Sequence, residues 1–237
     1  MKTVAYLIVV LLVVGALFVN NASALSYSRG IMGQDISWPN CNTLKFKAAS
    51  FGIIGVNNGL GFTSNPCIGE EAVLYRQNLS LYLNTGFPGM PYDLKYQSWP
   101  FNCAVTDTNC MAYNYGYNAG RYAVDYALSR GVVSNSWWLD VETVNSWSAD
   151  TDYNRESLMG EVEAIHQSVD PALIGYYTYP TEWVTLTGGW QNGYPNWVAT
   201  DSNYKSVAIK QCNGFSFNGG PTRLTQYVGN LDFDLAC

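Results

Sequence analysis

Apolar positions recur along this chain in two rhythms, short unbroken runs and a three-four helical step, and the two take turns. Residues 31–38, Ile-Met-Gly-Gln-Asp-Ile-Ser-Trp, predict a first strand stopped by Pro39. Residues 51–57, Phe-Gly-Ile-Ile-Gly-Val-Asn, predict a second, ended by the Asn-Asn-Gly turn at 57–59. A helical pattern through Leu74, Tyr75, Leu81 and Tyr82 covers 69–85 and ends at Gly86. Residues 87–92 read as a third strand that Pro88 and Pro91 weaken. The clearest helix spans 111–130: Ala112, Tyr115, Ala119, Tyr122 and Tyr126 step by three and four, and Gly131 follows as a stop. Its small residues Ala119, Gly120 and Ala123 predict close packing on a sheet. A strand at 136–143 follows, then a helix at 153–169 with Leu158, Val162, Ile165 and Val169 on one stripe, and a strand at 172–179 before Pro180. Residues 196–199, 207–211 and 223–227 read as late short strands with little helix between them.

Alternation of strand and helix, with nearly continuous apolar strands, implies a parallel sheet and an α/β fold. Roughly eight strands in about 210 residues fit a small, irregular (β/α) TIM-like barrel forming a single domain. A doubly wound open sheet is the alternative. Gly52, Gly55 and Gly59 have the wrong spacing for a dinucleotide loop, and no repeat or low-complexity linker marks a second domain.

Residues 1–24 stand apart. Lys2, an apolar run from Val4 to Val19 and the small residues Ala22-Ser23-Ala24 predict a secretory signal peptide cut after Ala24, leaving 25–237 as the barrel domain. An uncleaved anchor is the alternative, although the run is short against the roughly 20 residues a spanning helix needs. The expectation is therefore a secreted, extracellular protein with no stable membrane insertion after cleavage.

Composition narrows the partners. Charged residues make up 13% of the chain and aromatics 15%, with a net charge of −6, so neither nucleic acid nor an anionic membrane is an electrostatic match. Six cysteines in an exported chain suggest three disulfides, with fifteen connectivities open. Cys103 and Cys110 share one polar loop and form the local pair. Cys212 with Cys237 would tie the last residue to a late strand, leaving Cys41 with Cys67. Without a Cys-x-x-Cys pair, and with His166 the only histidine, metal ligation is the weaker reading; no metal and no cofactor is expected.

The candidate chemistry centres on residues 136–143, Ser-Trp-Trp-Leu-Asp-Val-Glu-Thr. Strand side chains alternate, so Trp138, Asp140 and Glu142 share one face while Trp137, Leu139 and Val141 form the apolar opposite. Two carboxylates on a buried strand need water, a partner or a purpose; the plainer reading is a strand end with solvated acids. In a parallel barrel, chemistry collects at the C-terminal ends of the strands. Acids near predicted strand ends are Asp35, Asp93, Asp140, Glu142, Asp201, Asp232 and Asp234, and the aromatics Trp38, Trp138, Tyr176, Tyr177, Tyr179, Trp197 and Tyr227 fall near the same places. Acids with aromatics at one mouth describe a carbohydrate cleft better than a phosphate, metal or nucleotide site.

Three ordered motifs carry a resemblance: residues 33–37 (Gly-Gln-Asp-Ile-Ser), 138–142 (Trp-Leu-Asp-Val-Glu), and Gln226-Tyr227 with residues 231–234 (Leu-Asp-Phe-Asp). They resemble those of family 25 glycoside hydrolases, the muramidases of phage and bacterial type, and more closely a group of secreted, disulfide-containing relatives. The resemblance implies an irregular (β/α) barrel that cleaves an aminosugar polysaccharide, with peptidoglycan as its usual substrate. It makes Glu142 the proton donor and Asp140, Asp35 and Asp232 the supporting acids. Trp38, Trp138, Tyr177, Trp197 and Tyr227 are the expected substrate-binding aromatics. The chain departs from the family pattern at Asn57-Asn58-Gly59, where a Lys and an acid are usual, at Asp234, where Asn is usual, and at Cys41. A carbohydrate-binding protein on the same fold, with little or no turnover, is the alternative function.

Overall fold

The computed structural model describes residues 27–41, 49–75, 78–89, 96–170, 172–229 and 231–237. The segment read as a signal peptide and Asp93 lie outside them. Among the described residues no helix is long and apolar enough to cross a membrane.

Eight strands close into a barrel in chain order. They are β1 (Met32–Ile36), β2 (Phe51–Gly55), β3 (Leu79–Asn84), β4 (Ser136–Asp140), β5 (Leu173–Thr178), β6 (Asn196–Ala199), β7 (Thr222–Val228) and β8 (Asp232–Ala236). The connecting helices are α1 (Ile68–Val73), α2 (Thr108–Ser129), α3 (Thr151–Ser168), α4 (Pro180–Thr187) and α5 (Lys205–Gln211). Neighbours from β1 to β7 pair in parallel. The last strand departs from that expectation, because β8 runs antiparallel to both β7 and β1. Its direction has a consequence for the site: its first residue, Asp232, lands at the mouth, opposite Asp35 and Val228, whereas Asp234 lies one layer deeper, opposite Gly33 and Gln226.

Alternation along the strands builds two apolar layers. Outward residues such as Ile54, Leu81, Leu83, Trp137, Leu139, Ile174 and Val198 pack under the helices. Inward residues Phe51, Ile53, Trp138, Tyr177, Trp197 and Leu224 fill the barrel. Trp138 fits because Gly175 opposite it has no side chain; a Cβ there would lie 2.3 Å from the indole ring. Burying a large apolar side chain contributes about 1.5–3 kcal/mol, so these two layers are the main stabilising term.

Several expected elements are revised. The helix read over 69–85 ends at Val73, and residues 79–84 form β3. Leu79, Leu81 and Leu83 alternate with Ser80, Tyr82 and Asn84, and pairing with β2 and β4 settles the period-two reading over the helical one. No strand forms over 87–89; Phe87 is buried from a loop. The run 207–211 belongs to α5, where only Ala208 is buried, so its apolar residues mark a thin helix rather than a strand. Helix α4 begins at Pro180, which opens the helix from its first turn rather than only ending β5.

The small residues of α2, expected against a sheet, also meet a helix. Gly116 and Gly120 face α3, where Cβ atoms would meet the Ser157 carbonyl at 1.8 Å and the Glu161 carbonyl at 3.0 Å. Three disulfides tie the surface: Cys41–Cys67, Cys103–Cys110 and Cys212–Cys237, with Cα separations of 5.9, 5.6 and 5.1 Å. The first links the turn after β1 to the start of α1, and the last ties the chain end to α5. Cys41 and Cys67 also lie beside Glu71, but as a disulfide their sulfurs supply no thiolate to a metal.

Candidate active site

At the strands' C-terminal end an open cleft of about 330 Å³ is lined by Asp35, Asp140, Glu142 and Asp232, together with Ser37, Trp38, Tyr82, Asn84, Tyr177, Tyr179, Trp197 and Gln226. The sequence places these acids on three separate strands or the loops just after them. Asp35 sits near the end of β1, Asp140 closes β4, Glu142 follows two residues later, and Asp232 opens β8. Among the described residues no Lys, Arg or His lines the cleft. Acids gathered this closely disfavour ionising together near neutral pH.

Each carboxyl has a distinct setting. Asp140 is buried, and Asn84 donates to its Oδ2 at 2.6 Å while its Oδ1 has no partner. Its backbone carbonyl accepts from the Thr85 hydroxyl at 2.6 Å, which pins the end of β4 to the loop after β3. Burial above all, then the Glu142 charge, pushes the Asp140 carboxyl well above the ordinary range. Glu142 is also raised, by burial first; a hydrogen bond from Asp140 works against that rise, and the charges of Glu182 and Asp232 add to it. Both acids of the pair are thus raised, and Asp140 is the more deeply buried of the two. Glu142 is anchored through its backbone, whose carbonyl accepts from the Trp147 indole at 2.8 Å. Glu182 of α4 fixes the next residue, accepting from the Thr143 amide and hydroxyl, each at 2.8 Å.

Asp35 accepts from the Gln226 amide at 2.9 Å, and Gln226 in turn accepts from the Tyr177 hydroxyl at 2.7 Å. This relay orients Asp35 from β5 and β7. Burial, with the charge of Asp232 second, raises Asp35 to about 7. Asp234 lies beneath, with no exposed surface and both oxygens without a partner of good geometry. Burial and then the Asp35 charge push it well above the ordinary range. Asp234 thus backs Asp35 from one layer deeper in the barrel.

Asp35 and Asp234 bind protons more tightly folded than unfolded. Stability therefore falls as pH rises from the ordinary Asp value of 3.8 toward about 7 for Asp35, and further for Asp234. Asp234→Asn, which supplies a neutral donor of the same shape, should remove part of that slope. The variant is expected to be more stable than wild type at pH 7 and to match it near pH 4. Thermal unfolding across pH 4–8 measures this, and a variant less stable than wild type at pH 7 would show that Asp234 is ionised and paired.

Of the expected aromatics, Trp38, Tyr177 and Trp197 line the cleft, and Trp38 stands at its rim, 46% exposed. Trp138 does not reach it. Its ring is buried below, edge-on to Trp197 at 5.9 Å, and serves the barrel core. Tyr227 turns away, because alternation on β7 sends Gln226 inward; the Tyr227 ring stacks on Phe233 at 5.5 Å. Tyr176 likewise points outward into the helix-facing layer. Asp201 is exposed after β6, in a left-handed conformation, and is not part of the cleft. Pattern reading missed Asn84, Tyr82 and Glu182. Asn84 was hidden by the helical reading of 69–85, and on the strand reading its place beside Asp140 follows from register.

Comparison with known proteins adds a family to this geometry. No family model matches the chain. In sequence it is similar to the probable GH family 25 lysozyme 4 of Dictyostelium discoideum, 27% identical over 217 residues, covering 73% of this chain and 94% of that protein. In fold it is similar to the catalytic domain of endolysin ply40 from bacteriophage P40 of Listeria monocytogenes, with a TM-score of 0.54 and 16% identity over 89% of this chain and 95% of that one. The bacterial lysozyme of Streptomyces coelicolor gives 0.53 and 16%, over 89% and 93%. The muramidase of Trichobolus zukalii gives 0.53 and 15%, over 87% and 93%. Fold and site define a single-domain α/β barrel with an acid cluster at its mouth. In sequence the chain is similar to a family 25 glycoside hydrolase lysozyme, and in fold to muramidases and lysozymes.

Proposed function

We propose that the mouth cleaves an aminosugar polysaccharide, with peptidoglycan as the substrate and Glu142 as the general acid. The observation that carries this reading is the meeting of Asp35, Asp140, Glu142 and Asp232 in one open cleft with aromatic walls. Signal-like residues at the start of the chain and the disulfides support action outside the cell.

The chemistry follows from which acids hold protons. In the empty cleft Asp140 keeps the proton of the pair, because it is the more deeply buried. A glycan lying over the mouth strips water from Glu142 and raises its affinity for a proton in turn. Protonated Glu142 donates to the glycosidic oxygen as the bond to the anomeric carbon breaks. The substrate's 2-acetamido carbonyl attacks that carbon from the other face, held by Asp140. Water then opens the ring so formed, giving its proton to the Glu142 carboxylate, and the configuration is retained. Asp35, steadied by Gln226 and Asp234, faces the developing positive charge from β1, with Asp232 beside it on β8. Trp38 at the rim and Tyr177 and Trp197 in the wall supply faces for sugar rings.

The test is a digest of purified peptidoglycan, followed by mass spectrometry and proton NMR of the fragments. Fragments ending in a reducing aminosugar, released first as the retained anomer, are the expected result. Tight binding to the polymer without new reducing ends would replace hydrolysis by a binding role.

A further inference from the structure

A second pocket, about 480 Å³ and larger than the mouth, opens on the outer wall of the barrel. It is lined by Tyr113 of α2, Met159, Val162, Glu163 and His166 of α3, Tyr176 of β5, and Trp190, Asn192 and Tyr194 of the loop before β6. None of these residues lines the catalytic mouth. The loop leads into the start of β6 and α3 runs back from the mouth, so the pocket lies toward the opposite end of the strands. Strand β5 serves both places, Tyr177 facing the mouth and Tyr176 the outer pocket.

Two polar groups there lack partners. The Tyr176 hydroxyl belongs to a fully buried residue and has none. Asn192 uses its Oδ1 to accept from the Tyr194 amide at 3.2 Å and from Asn218 at 2.9 Å, which fixes the amide's orientation and leaves its buried Nδ2 without an acceptor. Buried donors left unpaired beside an open pocket mark a place where a ligand's oxygens complete them. The rings around them are already set by packing: Tyr176 lies 6.4 Å from Trp190 and 5.7 Å from Tyr194, and Trp190 stacks on Trp183. Glu163 also lines the pocket; its Oε1 accepts from the Gln167 amide at 2.6 Å, and its carboxylate gives the pocket an acceptor.

We infer that this pocket binds a neutral N-acetylated pyranose of a glycan, through its ring face on the aromatics and its oxygens on Tyr176, Asn192 and Glu163. The carboxylate disfavours an acidic ligand, since among the described residues no Lys or Arg lines the pocket to offset it. The unpaired donors disfavour a purely apolar one. The inference rests on the proposed function only for the identity of the polymer, which the outer pocket would grip while the mouth cuts elsewhere along it.

Titration of the full chain carrying Glu142→Gln with the N-acetylglucosamine tetramer tests this. Two binding events are expected by calorimetry. Adding Trp190→Ala should abolish one or weaken it at least tenfold. Asn192→Asp keeps both internal contacts but loses the free donor, and should weaken the same event even if Trp190→Ala folds poorly. With Glu142 intact, Trp190→Ala should degrade insoluble polymer more slowly and a short soluble oligomer at the wild-type rate. A single binding event, unchanged by either pocket variant, would overturn the inference. So would a pocket that takes indole and ignores the tetramer. An inactive wild type that still showed the pocket-dependent event would count against the catalytic reading alone.

Discussion

Glu142→Gln should lower turnover on a glycan polymer by about 10²–10⁴-fold while the polymer still binds, the scale expected for loss of general acid catalysis. The amide keeps the shape of the side chain and cannot deliver a proton to the leaving oxygen. The loss should depend on the leaving group. For an aryl glycoside whose phenol departs without protonation, the first-turnover release of phenol by the variant should stay within about tenfold of wild type, because that step needs no acid, although the later attack of water still lacks the Glu142 base. Equal losses on both substrates would mean that Glu142 shapes the cleft rather than donating a proton. Folding should not suffer, since burial raises the Glu142 carboxyl and the change removes one of several crowded acids. Initial rates on both substrates, with melting temperatures alongside, check all three expectations.

The second large effect is on stability and lies away from the chemistry. Helices α2 and α3 meet backbone to backbone: a Cβ on Gly160 would stand 2.1 Å from the Tyr113 carbonyl oxygen and 2.6 Å from the Tyr117 amide nitrogen. Gly160→Ala must push the helices apart, because backbone atoms cannot swing aside as a side chain does. Forced expansion of a packed contact costs about 1–3 kcal/mol or more. At roughly 2–4 °C per kcal/mol for a chain of this size, the melting temperature should fall by about 5–10 °C. Gly69→Ala is the control, since its Cβ meets only the Arg130 carbonyl at 3.7 Å and Ala is the better helix former. Thermal denaturation of the two variants separates the causes. A Gly160→Ala protein as stable as wild type would mean that the helices have room to give. The same separation would widen the outer pocket, which draws Tyr113 from α2 and four residues from α3.

The barrel was legible because its strongest elements carry unambiguous periods. The helices near 111–130 and 153–169 and the strands near 136–143 and 172–179 lie where the three-four step and the unbroken apolar runs put them, within a few residues. Residues 79–84 were not legible, because Leu81 and Tyr82 satisfy a helical stripe as well as an alternating strand, and only neighbours on both sides decide. That error also hid Asn84, the residue that holds Asp140. The antiparallel β8 was equally invisible: nothing local to residues 232–236 states a direction, yet that direction sets Asp232 at the mouth and Asp234 beneath Asp35. Acid positions at strand ends could be read, and three of the five expected aromatics reach the cleft. Tyr227 and Trp138 fail for one reason, that nearness to a strand end in sequence does not say which way a side chain points or how deep it sits.

Reducing-end release from purified peptidoglycan by wild type and Glu142→Gln, assayed side by side with polymer binding, tests whether the acid cluster at the mouth breaks glycosidic bonds. Steady release by wild type, release lower by at least about a hundredfold in the variant, and similar binding by both are the expected result. Wild type and variant that bind equally and release nothing, or that release reducing ends at the same rate, would contradict it.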